Sequence, residues 1–188
     1  MGKETQKLYN YRKDNGYDEY FFGKGVDIGC GPDLLSKDVF TNITDVAPYD
    51  FAQGDANTCS NVKDETYDFV YSSHCLEHMF DPYAAFENWL RICKPGGYMI
   101  HAVPHELFYE KCQWPSRNNT DHKSSWTFEW KSSLPKTVHV PDFLEHFSDK
   151  METIFAGTIL LNFNFNKFYK DQTRGAAICQ IEMIGKKK

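Results

Sequence analysis

The sequence predicts an α/β fold, with a mostly parallel β-sheet and helices on both of its faces. Three observations lead there. Short, nearly continuous apolar runs recur along the chain as strand signals. They alternate with turn and helix signals, the arrangement that parallel neighbours need for their crossovers. One run, Val26–Ile28, passes directly into the glycine turn Gly29-Cys30-Gly31. Strands covered on both faces lose the strict apolar–polar alternation of a half-exposed sheet, and these runs lack it.

The elements follow in order. Residues 1–22 are polar with interspersed tyrosines (Tyr9, Tyr11, Tyr17, Tyr20) and are expected to form a short helix or an arm over the domain. GKGVDIGCGPD is a strand running into its turn, with a helix N-terminus expected beyond. ITDV (43–46) ends a second strand, and APYDFAQGDA carries a third into Asp55. ETYDFVYSS (65–73) is a stronger strand signal, flanked by turn-forming residues. In DPYAAFENWLRICKPGG, Asp81 caps a helix, Pro82 suits its first position and Lys94-Pro95-Gly96-Gly97 ends it. GYMIHAVP (97–104) is the next strand. A short helix starts at Pro141, and METIFAGTILLNF and GAAICQIEMIG pair as a closing antiparallel hairpin. The KKK end is expected to be a solvated tail. The stretch 105–140 breaks the rhythm and carries three tryptophans and three histidines; a loop of that length in a compact domain is commonly a substrate wall or lid.

Composition narrows the function. The chain has 188 residues, enough for one domain with a sizeable core. Its 21 basic and 26 acidic residues give a formal charge of −5, against the basic face of a nucleic-acid backbone binder. Nucleic acid is therefore not the expected partner. No window approaches a membrane-spanning apolar run, and MGKETQKLYNYRKDNG lacks a signal core. Gln6 stands where a myristoylation site carries Ser or Thr. A cytoplasmic location is expected. The six cysteines form no CxxC pair and are expected to be reduced and mostly buried. Monomer and dimer are both compatible with this reading.

The glycine turn is the strongest chemical signal. Glycines let the backbone turn tightly and approach a ligand. The third glycine of a dinucleotide fingerprint is replaced by Leu34, which disfavours a nicotinamide-dependent oxidoreductase. Asp45, placed at the end of the second strand, is a carboxylate able to accept from both ribose hydroxyls of an adenosine.

Taken together, Val26–Gly31, Asp45, Gly54–Ala56, Tyr67–Val70, Ser73–His78 and Lys94–Gly97 resemble the core pattern of class I S-adenosylmethionine-dependent methyltransferases, the small type 11-like group with glycan-associated relatives. The resemblance spans roughly residues 24 to 104 in order and spacing. It implies a single Rossmann-like domain at 23–188, preceded by the arm at 1–22, with 105–140 as the substrate-side loop. It also implies a seven-stranded, mostly parallel sheet with a reversed terminal hairpin. S-adenosylmethionine is the implied cofactor. Asp27, Gly29, Cys30 and Gly31 would border its methionine part, Asp45 and Val46 its ribose, and Asp55 and Ala56 its adenine. Ser73 and His74 would lie near the sulfonium, and Arg12 would clamp the carboxylate.

HCLEH (74–78) also reads as an inverted zinc-peptidase pattern, with His74 and His78 on one helical face. The sequence places no third ligand, and the resemblance explains the same residues without a metal, so no metal is expected. Glu77 and His78 are then structural or at a pocket rim. For proton removal from an acceptor hydroxyl the candidates are His105, His122 and His74, since an imidazole titrates near neutral pH. His101, inside a strand, is expected to be buried. The tryptophans pack a lid or offer a stacking platform. The expected reaction is methyl transfer to a hydroxyl, preferably of a sugar or glycan. Small-metabolite O- or N-methylation and a non-catalytic cofactor-binding scaffold are the alternatives.

Overall fold

A computed structural model describes residues 3–188. Eight strands are present among the described residues: β1 (Gly23–Ile28), β2 (Ile43–Tyr49), β3 (Tyr67–Ser73), β4 (Cys93–Pro104), β5 (Ser125–Thr127), β6 (Thr137–His139), β7 (Met151–Leu161) and β8 (Ile178–Lys187). Six of them form one sheet in the order β2-β1-β3-β4-β8-β7. The first four are parallel, and β8 runs antiparallel to both β4 and β7. β5 and β6 make a separate two-stranded parallel sheet.

The expected seventh strand of the main sheet is absent because ITDV and APY are one strand, β2, and not two. Pro48 lies within it. Since β2 is the edge strand, its missing N–H removes no ladder bond that the sheet needs. Beyond Tyr49 the chain turns: Gln53 N–H donates to the Asp50 carbonyl (2.8 Å) and Asp50 Oδ1 accepts from Phe51 N–H (2.8 Å).

Helices α1 (Glu4–Lys7), α2 (Tyr9–Asp14), α3 (Pro82–Ile92) and α4 (Val140–His146) cover the sheet from both sides. Helix α3 begins as its sequence requires, with Asp81 Oδ1 accepting from the N–H groups of Tyr83 (2.9 Å) and Ala84 (3.2 Å). Its apolar stripe (Phe86, Trp89, Leu90) packs with Phe143 and Phe147 against one sheet face, over Val26, Val70 and Met99. On the other face Tyr17, Phe21, Leu35 and Phe40 pack on Phe69, Tyr71 and Ile100. Here the arm is built into the core: Leu8, Arg12 and Phe21 are fully buried.

Two further expectations are corrected. No helix follows the glycine turn; the crossovers 29–42 and 50–66 are coil and turns, and the Asp27 carboxylate secures the first of them by accepting from Leu35 N–H (2.8 Å). Nor is the C-terminus a free tail, because β8 extends to Lys187, whose Nζ donates to the Cys93 carbonyl (2.8 Å). All six cysteines are free thiols, four of them buried.

The stretch 105–140 is anchored on both sides of its open part. Trp126 is fully buried against Phe143, and β6 feeds directly into α4.

Candidate active site

The carboxyl ends of β1, β2, β3 and β4 share one edge of the sheet, the edge where open α/β sheets bind ligands. Gly29 and Gly31 have φ of +75° and +49°, conformations that L side chains resist. At Gly29 a Cβ would lie 2.5 Å from Cys75 Sγ, so glycine is required there by packing as well. At Gly31 a Cβ would meet only Asp50 Oδ2, at 4.0 Å, which leaves that face of the turn open to a ligand.

Asp45 does not stand at the end of the second strand, where the resemblance needs its carboxylate. Asp45 is the third residue of β2, paired with Lys24 and exposed, far from the carboxyl edge; Val46 follows it beside Gly25. Asp50 is the first residue after β2, and its Oδ2 accepts from Gly31 N–H (2.8 Å). Asp55 is exposed in the next turn, held by the N–H and Nδ2 of Asn57, which lower its pKa. Ala56 gives its carbonyl to Trp89 Nε1–H (2.8 Å).

Asp27, Gly29, Cys30, Ser73 and His74 line a narrow slot of about 30 Å³, closed by Glu4 and Thr5 of α1. Ser73 Oγ is buried there with no partner. Burial drives the pKa of Asp27 well up, partly opposed by the Leu35 N–H, and lifts the Cys30 thiol to about 11. A carboxyl with a raised folded-state pKa contributes its full stability below the ordinary carboxylate value and loses it as pH rises through the raised value. The unliganded Asp27→Asn variant is therefore expected to gain in Tm over the native chain as pH goes from about 4 to about 8. A Tm difference that stays flat across that range would contradict the assignment.

Beside the slot, and sharing Glu4 and His74 with it, lies a cavity of about 500 Å³. Its wall includes Glu77, His78, Tyr109, Asn118, Asn119, His122, Asp171, Thr173 and Arg174. His74 and His78 do not share a helical face: only Leu76–His78 form a 3-10 turn, and His74 is left-handed, with φ of +56°. It is held in that conformation as its N–H donates to the Ala102 carbonyl (2.9 Å). Both rings reach the cavity all the same. His122 does too; burial alone lowers its pKa, but the hydrogen bond to Glu110 and the nearby Glu77 carboxylate raise it overall.

His105 does not line the cavity. It is fully buried between Phe108 and Trp130, accepts from Leu107 N–H at Nδ1 (3.0 Å) and faces Glu129 through Nε2 (2.9 Å). Burial lowers its pKa, with Glu129 opposing. Nor does any tryptophan line the cavity; its aromatic wall is Tyr109. His101 is a core residue on Ser72 Oγ (2.8 Å), its pKa pushed down to about 3 by burial.

Arg12 is corrected as well. It is entirely buried, donating to Tyr71 Oη and Glu182 Oε1 (2.7 Å each), and does not reach the slot. From there a chain of hydrogen bonds leads back to the site. Glu182 also accepts from Tyr17 Oη–H (2.6 Å) and from Gln180 Nε2–H (2.7 Å). With its amino group committed, Gln180 presents Oε1 to His74 Nε2 (3.0 Å). Nε2 must then carry the proton, which leaves the lone pair on Nδ1.

A parallel sheet with a reversed hairpin, a glycine turn, and an acidic residue after the second strand define a nucleotide-type cofactor site at the carboxyl edge. A family model described as a methyltransferase domain matches residues 3–148. The chain belongs to that family, and it is a class I S-adenosylmethionine-dependent methyltransferase in family and fold. Its cofactor is S-adenosylmethionine.

Among curated relatives, the ubiquinone biosynthesis O-methyltransferase of Aliivibrio fischeri (strain MJ11) is 28% identical over 104 residues, covering 44% of each chain. The chain thus matches less than half the length of that relative. Among solved structures, YcgJ of Bacillus subtilis superposes with a TM-score of 0.62 at 12% identity, covering 97% of this chain and 98% of that one. The N-methyltransferase NodS of Bradyrhizobium japonicum, in complex with S-adenosyl-L-homocysteine, gives 0.61 at 8% identity, covering 97% and 86%. These likenesses are of fold. No helix among the described residues is long and apolar enough to cross a membrane.

The residues present suit the cofactor. The open face of Gly31, the partnerless Ser73 Oγ and the Asp50 carboxylate lie along one edge. The slot itself is narrow, with Thr5 of α1 in its wall and the Thr5 N–H on Asp33 Oδ2 (2.8 Å).

Proposed function

We propose that the chain methylates a hydroxyl of a sugar or other polyhydroxylated small molecule held in the 500 Å³ cavity. The observation that carries this reading is the cavity's lining. Asn118, Asn119, Asp171, Thr173 and Arg174 offer hydrogen-bond donors and acceptors suited to hydroxyl groups. An aromatic or quinone-like acceptor would leave many of those groups unpaired on binding, at a cost in affinity.

In this reading Asp50 takes the ribose hydroxyls, Gly29–Gly31 and Asp27 flank the methionine part, and Asp55 and Ala56 lie toward the adenine. S-adenosylmethionine supplies an electrophilic methyl group on a sulfonium, whose sulfur keeps the electron pair of the broken C–S bond. His74, the ring shared by slot and cavity, accepts the acceptor hydroxyl proton at Nδ1 as the oxygen–methyl bond forms. The cavity walls orient the acceptor and exclude water.

Two measurements test this. Transfer of labelled methyl from S-adenosylmethionine is assayed against glycans, free sugars, small phenols and amines; incorporation into hydroxylated saccharides is expected, and incorporation into amines alone would contradict the reading. His74→Asn keeps a residue that tolerates the left-handed backbone. It is expected to lower kcat by about 10²–10⁴-fold, with a much smaller change in S-adenosylhomocysteine affinity. An unaltered kcat would exclude His74 as the base.

A further inference from the structure

We infer that Glu77, His78 and His122 form a binding site for one divalent transition-metal cation in the wall of the large cavity. Glu77 is fully buried, and neither of its carboxylate oxygens has a hydrogen-bond partner. A carboxylate in that state costs several kcal/mol unless something compensates it. Three imidazole nitrogens surround the same Oε1: His78 Nε2 and His122 Nε2 at 3.8 Å, and His74 Nδ1 at 3.7 Å. These separations are too long for hydrogen bonds. Those of His78 and His122 suit donors that share an ion with Glu77, and His74 Nδ1 stands beside the group.

The outer contacts point the same way. His78 directs Nδ1 to Asp121 Oδ2 (3.0 Å), and His122 directs Nδ1 to Glu110 Oε1 (2.5 Å). An imidazole that donates its Nδ1–H to a carboxylate holds its Nε2 lone pair outward, the arrangement of metal-bound histidines. Both Nε2 atoms here face Glu77. The three donor atoms lie within 4.8 Å of one another. Donors at the usual 2.0–2.1 Å from a tetrahedral ion are about 3.4 Å apart, so small side-chain rotations close the set.

The backbone holds the two halves together, since the Glu77 carbonyl accepts from Lys123 N–H (2.7 Å) and Ser124 N–H (3.1 Å). His122 is thus the third ligand that HCLEH lacked, delivered from the irregular stretch 44 to 48 positions along the chain and so invisible as a spacing. Two imidazoles and one carboxylate suit zinc, manganese, iron or cobalt, and leave positions open toward the cavity. Resting on the methyl-transfer reading, we assign those open positions to the acceptor hydroxyl oxygen. Coordination there would fix the oxygen and ease loss of its proton to His74.

The test uses the full chain stripped with a chelator, dialysed against Zn²⁺ for stoichiometry and against Co²⁺ for its visible absorption. One Zn²⁺ per chain at micromolar affinity or tighter is expected, with Co²⁺ bands of a site containing nitrogen ligands. His122→Ala should abolish both. Asp121→Asn, at an exposed position whose loss should leave the fold intact, should weaken binding about 10–100-fold, while His139→Gln should leave it unchanged. S-adenosylhomocysteine is titrated into every sample. Its binding without any stoichiometric Zn²⁺, or Zn²⁺ binding equal in the native, His122→Ala and Asp121→Asn proteins, would overturn the metal site and leave the methyl-transfer reading standing.

Discussion

Asp50→Ala is expected to weaken S-adenosylhomocysteine binding by about 100-fold or more, while Asp45→Ala leaves it within about twofold. A carboxylate that accepts from two ribose hydroxyls makes two charge-assisted hydrogen bonds, each worth about 1.5–3 kcal/mol. Losing about 3 kcal/mol corresponds to a little more than a hundredfold in Kd. Asp50 also ties down the Gly31 N–H, so its removal loosens the turn that borders the methionine part. Asp50→Asn keeps an acceptor for that N–H and separates the two contributions; it should bind less weakly than the alanine variant. Asp45, exposed near the start of β2, touches neither. Calorimetric titration of the three variants measures this directly, and equal losses at positions 45 and 50 would contradict the placement.

Arg12→Met is expected to destabilise the protein by about 3–5 kcal/mol, the usual cost of removing one member of a buried ion pair. The guanidinium and the Glu182 carboxylate are both fully buried and 2.7 Å apart. Removing Arg12 leaves Glu182 with only Tyr17 and Gln180 as neutral donors. Denaturant unfolding gives the loss in stability. The ring NMR signals of His74 give a second readout, because Gln180 links Glu182 to its Nε2. A change in the His74 tautomer balance is expected in Arg12→Met and not in Lys13→Met, whose ion pair with Asp18 is on the surface. A stability loss below about 0.5 kcal/mol would match an ordinary surface substitution and contradict the buried-pair account.

Much of the fold was legible because local signals agreed. The Asp81 cap, Pro82 and the apolar spacing of Phe86 and Trp89 specify α3 without tertiary help, and the glycine turn marks the carboxyl edge of β1. ITDV and APY read as two strands along the chain, and only their common register on β1 joins them into one. Two strands there place Asp45 at a strand end, whereas the single β2 runs on to Tyr49 and puts Asp50 in that place.

The remaining site errors share one cause. Arg12 is paired with Glu182, 170 positions away, and His105 is sealed by Glu129, Phe108 and Trp130. A charged or imidazole side chain looks the same in sequence whether it faces a ligand or a buried partner. His74 and His122 could be named as candidates from their neighbourhoods, yet their convergence on Glu77 depends on the backbone bonds from residues 123 and 124 to the Glu77 carbonyl.

A structure of the protein soaked with S-adenosylhomocysteine tests the account most directly. It should show the ribose on Asp50, the amino-acid end against Gly29–Gly31, and the sulfur facing His74 and the large cavity. A ribose on Asp45, or a ligand whose sulfur points away from that cavity, would contradict it.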